Sequence, residues 1–348
     1  LGLHASLRRS APATRRYTAR TALRTLRAGC PDLAHARAVA ARPARAAHGS
    51  RLASARDDPG QVPAQKRPSP CPPVAARPRD FSVTEIKRLI RDPYAIYARH
   101  VLRLRPLDPL MKVPDALLRG TVLHEVLDRF IKDTQQDDAL CTRHHLMAVT
   151  DTVLAENVPW AEARAIWRAR MDRVADWFID GELSRRQIAR PTALEQSGIA
   201  TLPDLGVTLK AKADRIDMDD TGSLHIYDYK TGKPPSEKEQ QYFDRQLLLE
   251  AVIAEQAGFG QLAPAMVAQA TFIGLGSKPE TVPAPLHKEP VPKVWLEFEA
   301  LMRAYLDPAR GYTARRACFK KTDRGDSDQL VSFAESDMPV CPETGERC

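Results

Sequence analysis

No run of eighteen apolar residues occurs in the chain, so no membrane-spanning helix is expected. There is no G-x-x-x-x-G-K-[ST] phosphate loop, so ATP-driven chemistry has no site here. The six cysteines (30, 71, 141, 318, 341 and 348) form no C-x-x-C pair and show no regular ligand spacing. Reduced thiols and a cytoplasmic location are the default reading, with no role assigned to Cys341 and Cys348. The first 60 residues lack Lys and Glu altogether. They hold twelve Arg against Asp32, Asp57 and Asp58, a net +9. The whole chain is only +8, so residues 61–348 sum to −1. Any surface for a polyanion in that larger part must come from local clustering of cations rather than bulk charge.

Residues 1–60, rich in Ala and Arg, sustain no apolar period and read as an arm outside the fold. A fragment of a longer chain (it begins at Leu1), a transit-peptide-like segment and a non-native frame all stay open for it. Residues 61–80 carry six prolines and read as a stiff linker. The folded domain is expected at 81–335, with a tail at 336–348. With 43% hydrophobic residues the chain can fill a core.

The chemistry concentrates in residues 205–233, two extended segments joined by Asp219-Asp220-Thr221-Gly222-Ser223. Residues two apart share a strand face, so Ile226, Asp228 and Lys230 point one way and His225, Tyr227 and Tyr229 the other. Asp228 and Lys230 therefore emerge side by side, and hairpin pairing brings Asp214 toward Asp228. Two carboxylates and a lysine at one spot suit a divalent metal and a phosphate. The plainer alternative is a surface hairpin with charges at its rim.

The runs AKADRID (211–217) and IYDYKTG (226–232) resemble the paired core motifs of RecB-type nucleases in the PD-(D/E)xK superfamily. The run FSVTEIKRLIRDPYAIYARHVLRLRPLDPL (81–110) narrows the resemblance to the C-terminal nuclease domain of AddB in bacterial AddAB helicase-nucleases, of the alphaproteobacterial type. It spans about residues 80–335. It implies an α/β fold of the restriction-endonuclease-like PD-(D/E)xK core, a mixed central sheet flanked by helices. It also implies Mg2+ or Mn2+ at Asp214 and Asp228, with His124 and the Tyr229 carbonyl completing the shell, and Lys230 and Gln246 as catalytic groups. Iron–sulfur members carry a cysteine just before a proline where this chain has Asp92-Pro93. No iron–sulfur cluster is expected, and other packing must hold the two ends of the domain together.

Elsewhere, Ser82-Val83-Thr84-Glu85 is a capping box for a helix that Asp92-Pro93 interrupts. Thr121 is expected to cap a helix whose buried stripe is Leu123, Leu127, Phe130 and Ile131. His124 lies beside that stripe, either bonded to Asp128 one turn on or, as the resemblance implies, aimed at the metal. Residues 140–190 read as helical, with Trp160, Trp167, Met171, Val174 and Phe178 as core and His144-His145 as a solvated pair. Glu195, preceding the first strand, offers either a further carboxylate or, the preferred reading, a rim charge. Residues 240–251 read as one helix, where Gln246 matches the glutamine of the family's Gln-x-x-x-Tyr motif and Glu250 replaces its tyrosine. Residues 265–275 suit a core strand, 295–306 a last helix, and the segment 311–321 a basic patch.

Three functions follow as alternatives. The leading one is a metal-dependent deoxyribonuclease, an exonuclease, acting at DNA double-strand breaks on single-stranded or unwound ends beside an AddA-like helicase-nuclease subunit. A catalytically silent DNA-end-binding scaffold and a free-standing Cas4-like or phage-type exonuclease are the others.

Overall fold

The computed structural model describes residues 66–107, 110–315 and positions 325, 327, 328 and 330. The arm, the first part of the linker, most of the 311–321 basic patch, the tail and its cysteines lie outside them. In order come β1 (Asp80–Ser82), α1 (Val83–Arg91), α2 (Pro93–Ile96), α3 (Ala116–Thr134), α4 (Arg143–Asn157), α5 (Ala161–Arg186) and β2 (Ala189–Leu202). There follow β3 (Val207–Asp219), β4 (Leu224–Lys230), α6 (Glu237–Tyr242), α7 (Gln246–Gln256), β5 (Val267–Gly274), β6 (Glu280–Pro283) and α8 (Val291–Leu306). No described helix is long and apolar enough to cross a membrane.

Local chemistry sets the helix ends. The Ser82–Glu85 capping box is closed in both directions at the start of α1. Asp92 leaves helical geometry and Pro93 restarts it as the first residue of α2. Thr121 does not cap α3. Asp115 does, its carboxylate accepting from the Leu118 amide at 2.8 Å, while Thr121 lies inside the helix and donates to the Leu117 carbonyl. The helix therefore starts earlier than its apolar stripe. Residues 240–251 are not one helix either. Asp244 is drawn to Lys87 (2.6 Å) and Arg245 to Glu289 (2.9 Å) and Glu297 (2.6 Å), so the chain breaks between α6 and α7. Gln246 thereby becomes the first residue of α7.

The six-stranded sheet is mixed. β2 runs antiparallel to β3 along almost its whole length. The other edge of β3 is shared: β1 pairs in parallel at residues 208–210 and β4 antiparallel at Arg215 to Met218. β5 is parallel to β4, and β6 closes the edge. Each face of the sheet has its own core. Ile86, Leu89, Ile226, Leu248 and Phe298 fill one, beneath α1, α7 and α8. Leu127, Phe130, Phe178, Tyr227 and Tyr229 fill the other, beneath α3, α4 and α5. The alternation expected of β4 is therefore what separates the two cores.

β2 is missing from the sequence reading, which placed Glu195 before the first strand. The reason is compositional: its buried positions are mostly Ala, Pro, Gly and Leu, and Ile199 faces out at 52% exposure. Gly198 marks the tightest contact. A Cβ there would lie 2.7 Å from Ile253 Cγ2 on α7 and from Phe259 Cδ1. Gly198→Val should cost about 1–3 kcal/mol by overpacking. Urea unfolding checks this, and an unchanged midpoint would contradict the packing described.

Hydrogen bonds join the two ends of the domain. Within the stretch read as a linker, Pro68 and Pro70 carbonyls accept from the Ala314 and Tyr312 amides (2.9 and 2.8 Å), and Arg77 donates to the carbonyls of Tyr305 and Asp307. Buried Asp92 accepts from the Arg315 amide at 2.9 Å. Burial pushes the Asp92 carboxyl up, and the Arg315 contacts only partly offset it.

Candidate active site

The site lies where β3 and β4 part. Their ladder runs from Met218 opposite Leu224 to Arg215 opposite Tyr227, so Asp214 and Asp228 are the next pair beyond it. The hairpin is held by its turn: Asp219 Oδ1 accepts from the Thr221 and Ser223 amides (both 2.9 Å), and Gly222 takes φ +81°. β4 stays paired with β5 from Leu224 to Lys230, whose carbonyl accepts from the Leu275 amide, while its ladder with β3 stops at Tyr227. The Tyr229 backbone consequently faces the gap toward β3. Its N–H donates to Asp214 Oδ2 at 2.9 Å, and its carbonyl points to the same edge. Ala211 and Ala213 share a core with Ile216, so the in–out alternation of β3 slips by one residue at this spot.

From the α3 side, His124 Nδ1 comes to 3.3 Å from Asp214 Oδ2, and the imidazole stands edge-on to the Tyr229 ring. The alternative partner, Asp128, is taken by Lys132 at 2.6 Å. Burial lowers the His124 pKa, but the hydrogen bond and charge of Asp214 outweigh it and the net direction is upward. Glu195 enters from β2, with a left-handed φ of +52° that breaks the regular alternation there. It also pairs with Lys212. His124, Glu195 and Asp214 each bring a ligand atom within 4.8 Å of the others. Glu195, read from sequence as a rim charge, is part of this cluster.

The other half of the site faces α7. Lys230 Nζ lies 2.7 Å from Asp228 Oδ2 and donates to Gln246 Oε1 at 3.1 Å. The Gln246 amide nitrogen donates to Asp228 Oδ1 and to Glu250 Oε1. Gln246 thus bridges the acid and the lysine. Burial pushes the Asp228 carboxyl up to about 6, with Lys230 opposing and the charge of Asp214 adding. Glu250 is 1% exposed, and burial beside Asp228 pushes its carboxyl well above the ordinary range. Burial alone would depress Lys230, yet the adjacent Asp228 carries its pKa upward, so the ammonium persists.

One imidazole and several carboxylate oxygens converging on a backbone carbonyl edge form a donor set suited to a hard divalent ion. The residues therefore fit such an ion, with His124, Glu195 and Asp214 as the tightest group and Asp228 beside it, turned toward Lys230. A model of the PD-(D/E)XK nuclease superfamily matches residues 80–332. The chain belongs to that superfamily.

Uncharacterized proteins of Rickettsia bellii and Rickettsia conorii are similar to this superfamily member at 29% identity over 185 residues and 28% over 189, each covering 52% of the chain. The chain spans less than a quarter of their length, 22% and 23%. The crystal structure of a "Putative exonuclease" from Eubacterium rectale covers 74% of the chain and 95% of its own, at 11% identity and a TM-score of 0.40. The candidate site residues sit on several supports: β3 and β4 carry Asp214, Asp228 and Lys230, β2 carries Glu195, α3 the imidazole, and α7 the carboxamide.

Proposed function

We propose that this domain hydrolyses phosphodiester bonds of single-stranded or unwound DNA ends, as an exonuclease using Mg2+ or Mn2+. We place it in an AddAB-type helicase-nuclease of the cytoplasm, acting at double-strand breaks, with unwinding supplied by an AddA-like subunit. One observation carries the reading: Asp214, Asp228 and Lys230 meet in the gap between two diverging strands, with His124 delivered from α3.

A divalent ion held by His124, Asp214, Asp228, Glu195 and the Tyr229 carbonyl would lower the pKa of water and neutralise phosphate charge. The chain's own groups do the rest. Lys230 sets a fixed positive charge where negative charge grows on phosphorus. Gln246, bonded to both Lys230 and Asp228, fixes the distance between cation and acid. The Tyr229 amide holds Asp214 in one rotamer.

The deciding experiment is cleavage of end-labelled single-stranded DNA with Mg2+ or Mn2+, comparing the wild-type protein with Asp228→Asn. Loss of cleavage in the variant at an unchanged melting temperature supports the reading; equal cleavage by both overturns it. A second result follows from Asp228. Its raised pKa means that the acid is protonated below about 6 and ionised above. Ion binding needs the ionised form, so the melting-temperature gain on adding Mn2+ should grow as pH rises through about 6. A gain independent of pH across that range would contradict the assignment of Asp228.

A further inference from the structure

We propose that the groove over α1 and α2 is the path along which a single DNA strand reaches Asp228 and Lys230; this rests on the nuclease reading above and adds the surface that holds the substrate. A cavity of about 950 Å³ opens from Lys230 and Gln246 and runs along α1 and α2 to the segment at Arg105. Its walls hold six cations, Lys87, Arg88, Arg91, Arg99, Arg105 and Lys230, against the carboxylates of Asp92 and Asp244. The rest of the chain beyond residue 60 is close to neutral, so this is the local clustering that a polyanion requires.

The sequence of the helices explains the groove. Thr84, Arg88 and Arg91 line the cavity at four- and three-residue steps along α1, and Ala95 and Ala98 line it beyond the Asp92 break, while Ile86, Leu89 and Ile96 are buried. Cations thus stand along one ridge, and the two alanines leave its far half low enough for a backbone to approach. Lys87 is tied to Asp244 at 2.6 Å, only two residues before Gln246, so the ridge is anchored to the catalytic helix. Lys87 and Arg99 keep their pairs with Asp244 and Glu85 (2.6 and 3.4 Å), while their own side chains stay 42% and 46% exposed at the groove. Arg88 and Arg105 are exposed. The side chains of Asp228 and Lys230 are only 5% and 31% exposed, so they lie recessed below the rim. A lone strand can bend into such a recess, whereas a duplex holds its phosphodiesters on a stiff outer surface.

The test uses the full chain and a fluorescent oligothymidylate, with binding read by anisotropy in EDTA so that no cleavage intervenes. Arg88→Glu combined with Arg105→Glu should weaken binding about tenfold or more. It should also make the salt dependence shallower, by roughly 0.7 in log–log slope for each phosphate that is no longer neutralised. The double alanine variant should show the same change at smaller size, and melting temperatures check that both fold. Arg173→Glu, an exposed arginine on α5 across the sheet, makes the same charge change as either member of the glutamate pair alone and should bind as wild type does. Arg-rich residues 1–60 are common to all these proteins, so differences between them report the groove. Wild-type affinity and slope in both double variants would overturn the proposal, as would no binding by the wild type. Cleavage measured in parallel separates the two readings. Groove-dependent binding without metal-dependent cleavage sinks the nuclease and keeps the groove, and cleavage with unchanged KM in the double variant does the reverse.

Discussion

Lys230→Ala should lower metal-dependent cleavage of single-stranded DNA about 10²–10³-fold and leave the domain folded. The ammonium is held at 2.7 Å from Asp228 and 3.1 Å from Gln246, and lies 5.1 Å above the Phe272 ring, so its position is fixed before substrate arrives. A fixed charge in a recessed site needs no reorganisation when the phosphate becomes more negative, which is why its loss should act on kcat more than on KM. The fold survives because Asp228 has an escape. Without its cation the buried carboxyl takes up a proton, at about 1.4 kcal/mol for each pH unit that the solution lies above its pKa. In the wild type that pKa is already about 6, so the cost near neutrality is modest. Lys230→Arg tests geometry apart from charge: a planar guanidinium cannot reproduce the point contact to Asp228 and Gln246 and should restore little activity. Single-turnover rates decide the matter, and a Lys230→Ala protein within tenfold of wild type would overturn the role given to this lysine.

The parts of this site that sequence revealed are those written in local chemistry. A period of two placed Asp228 and Lys230 on one face of β4 and Tyr229 on the other, and the turn at Asp219 to Ser223 fixed the hairpin that sets Asp214 opposite them. The Ser82–Glu85 box and the Asp92-Pro93 break were equally legible, because caps and prolines act within a few residues. What sequence concealed depends on distant partners. Glu195 joins the acids only because β2 pairs with β3, and β2 hides its identity by burying small residues and exposing Ile199. The split between α6 and α7, which puts Gln246 at a helix start, comes from ion pairs to Lys87, Glu289 and Glu297 that no local pattern encodes. Asp92 likewise reads as a helix breaker in sequence, while in the fold it binds the Arg315 amide across 223 positions.

Arg215→Met should destabilise the domain by about 3–5 kcal/mol at neutral pH, the cost of leaving buried acids without their shared cation. Arg215, the residue after Asp214, is fully buried together with Glu182 and Asp217. It grips Asp217 with two parallel bonds of 2.6 Å and reaches Glu182 at 2.5 Å and the Tyr229 hydroxyl at 3.3 Å. The two acids are not equivalent. Glu182 also has Arg185 and Arg186 (3.1 and 2.7 Å), and although burial opposes ionisation, these guanidiniums with Arg215 bring its carboxyl down to about 2. Asp217 relies on Arg215 among the described contacts, and burial pushes its carboxyl up. The pH dependence follows from these directions. In the wild type the Glu182 contribution is present above the unfolded carboxylate range and is lost as pH falls toward about 2. In the variant, Asp217 takes up a proton once its cation is gone, so the penalty should be greatest at neutral pH and shrink as the medium is acidified. Guanidinium unfolding of both proteins at several pH values measures it, and a penalty that stays constant with pH would refute the division of roles between the acids. The same variant should also slow cleavage. Arg215 donates to the Tyr229 hydroxyl, and the Tyr229 amide is what holds Asp214 in place beside His124.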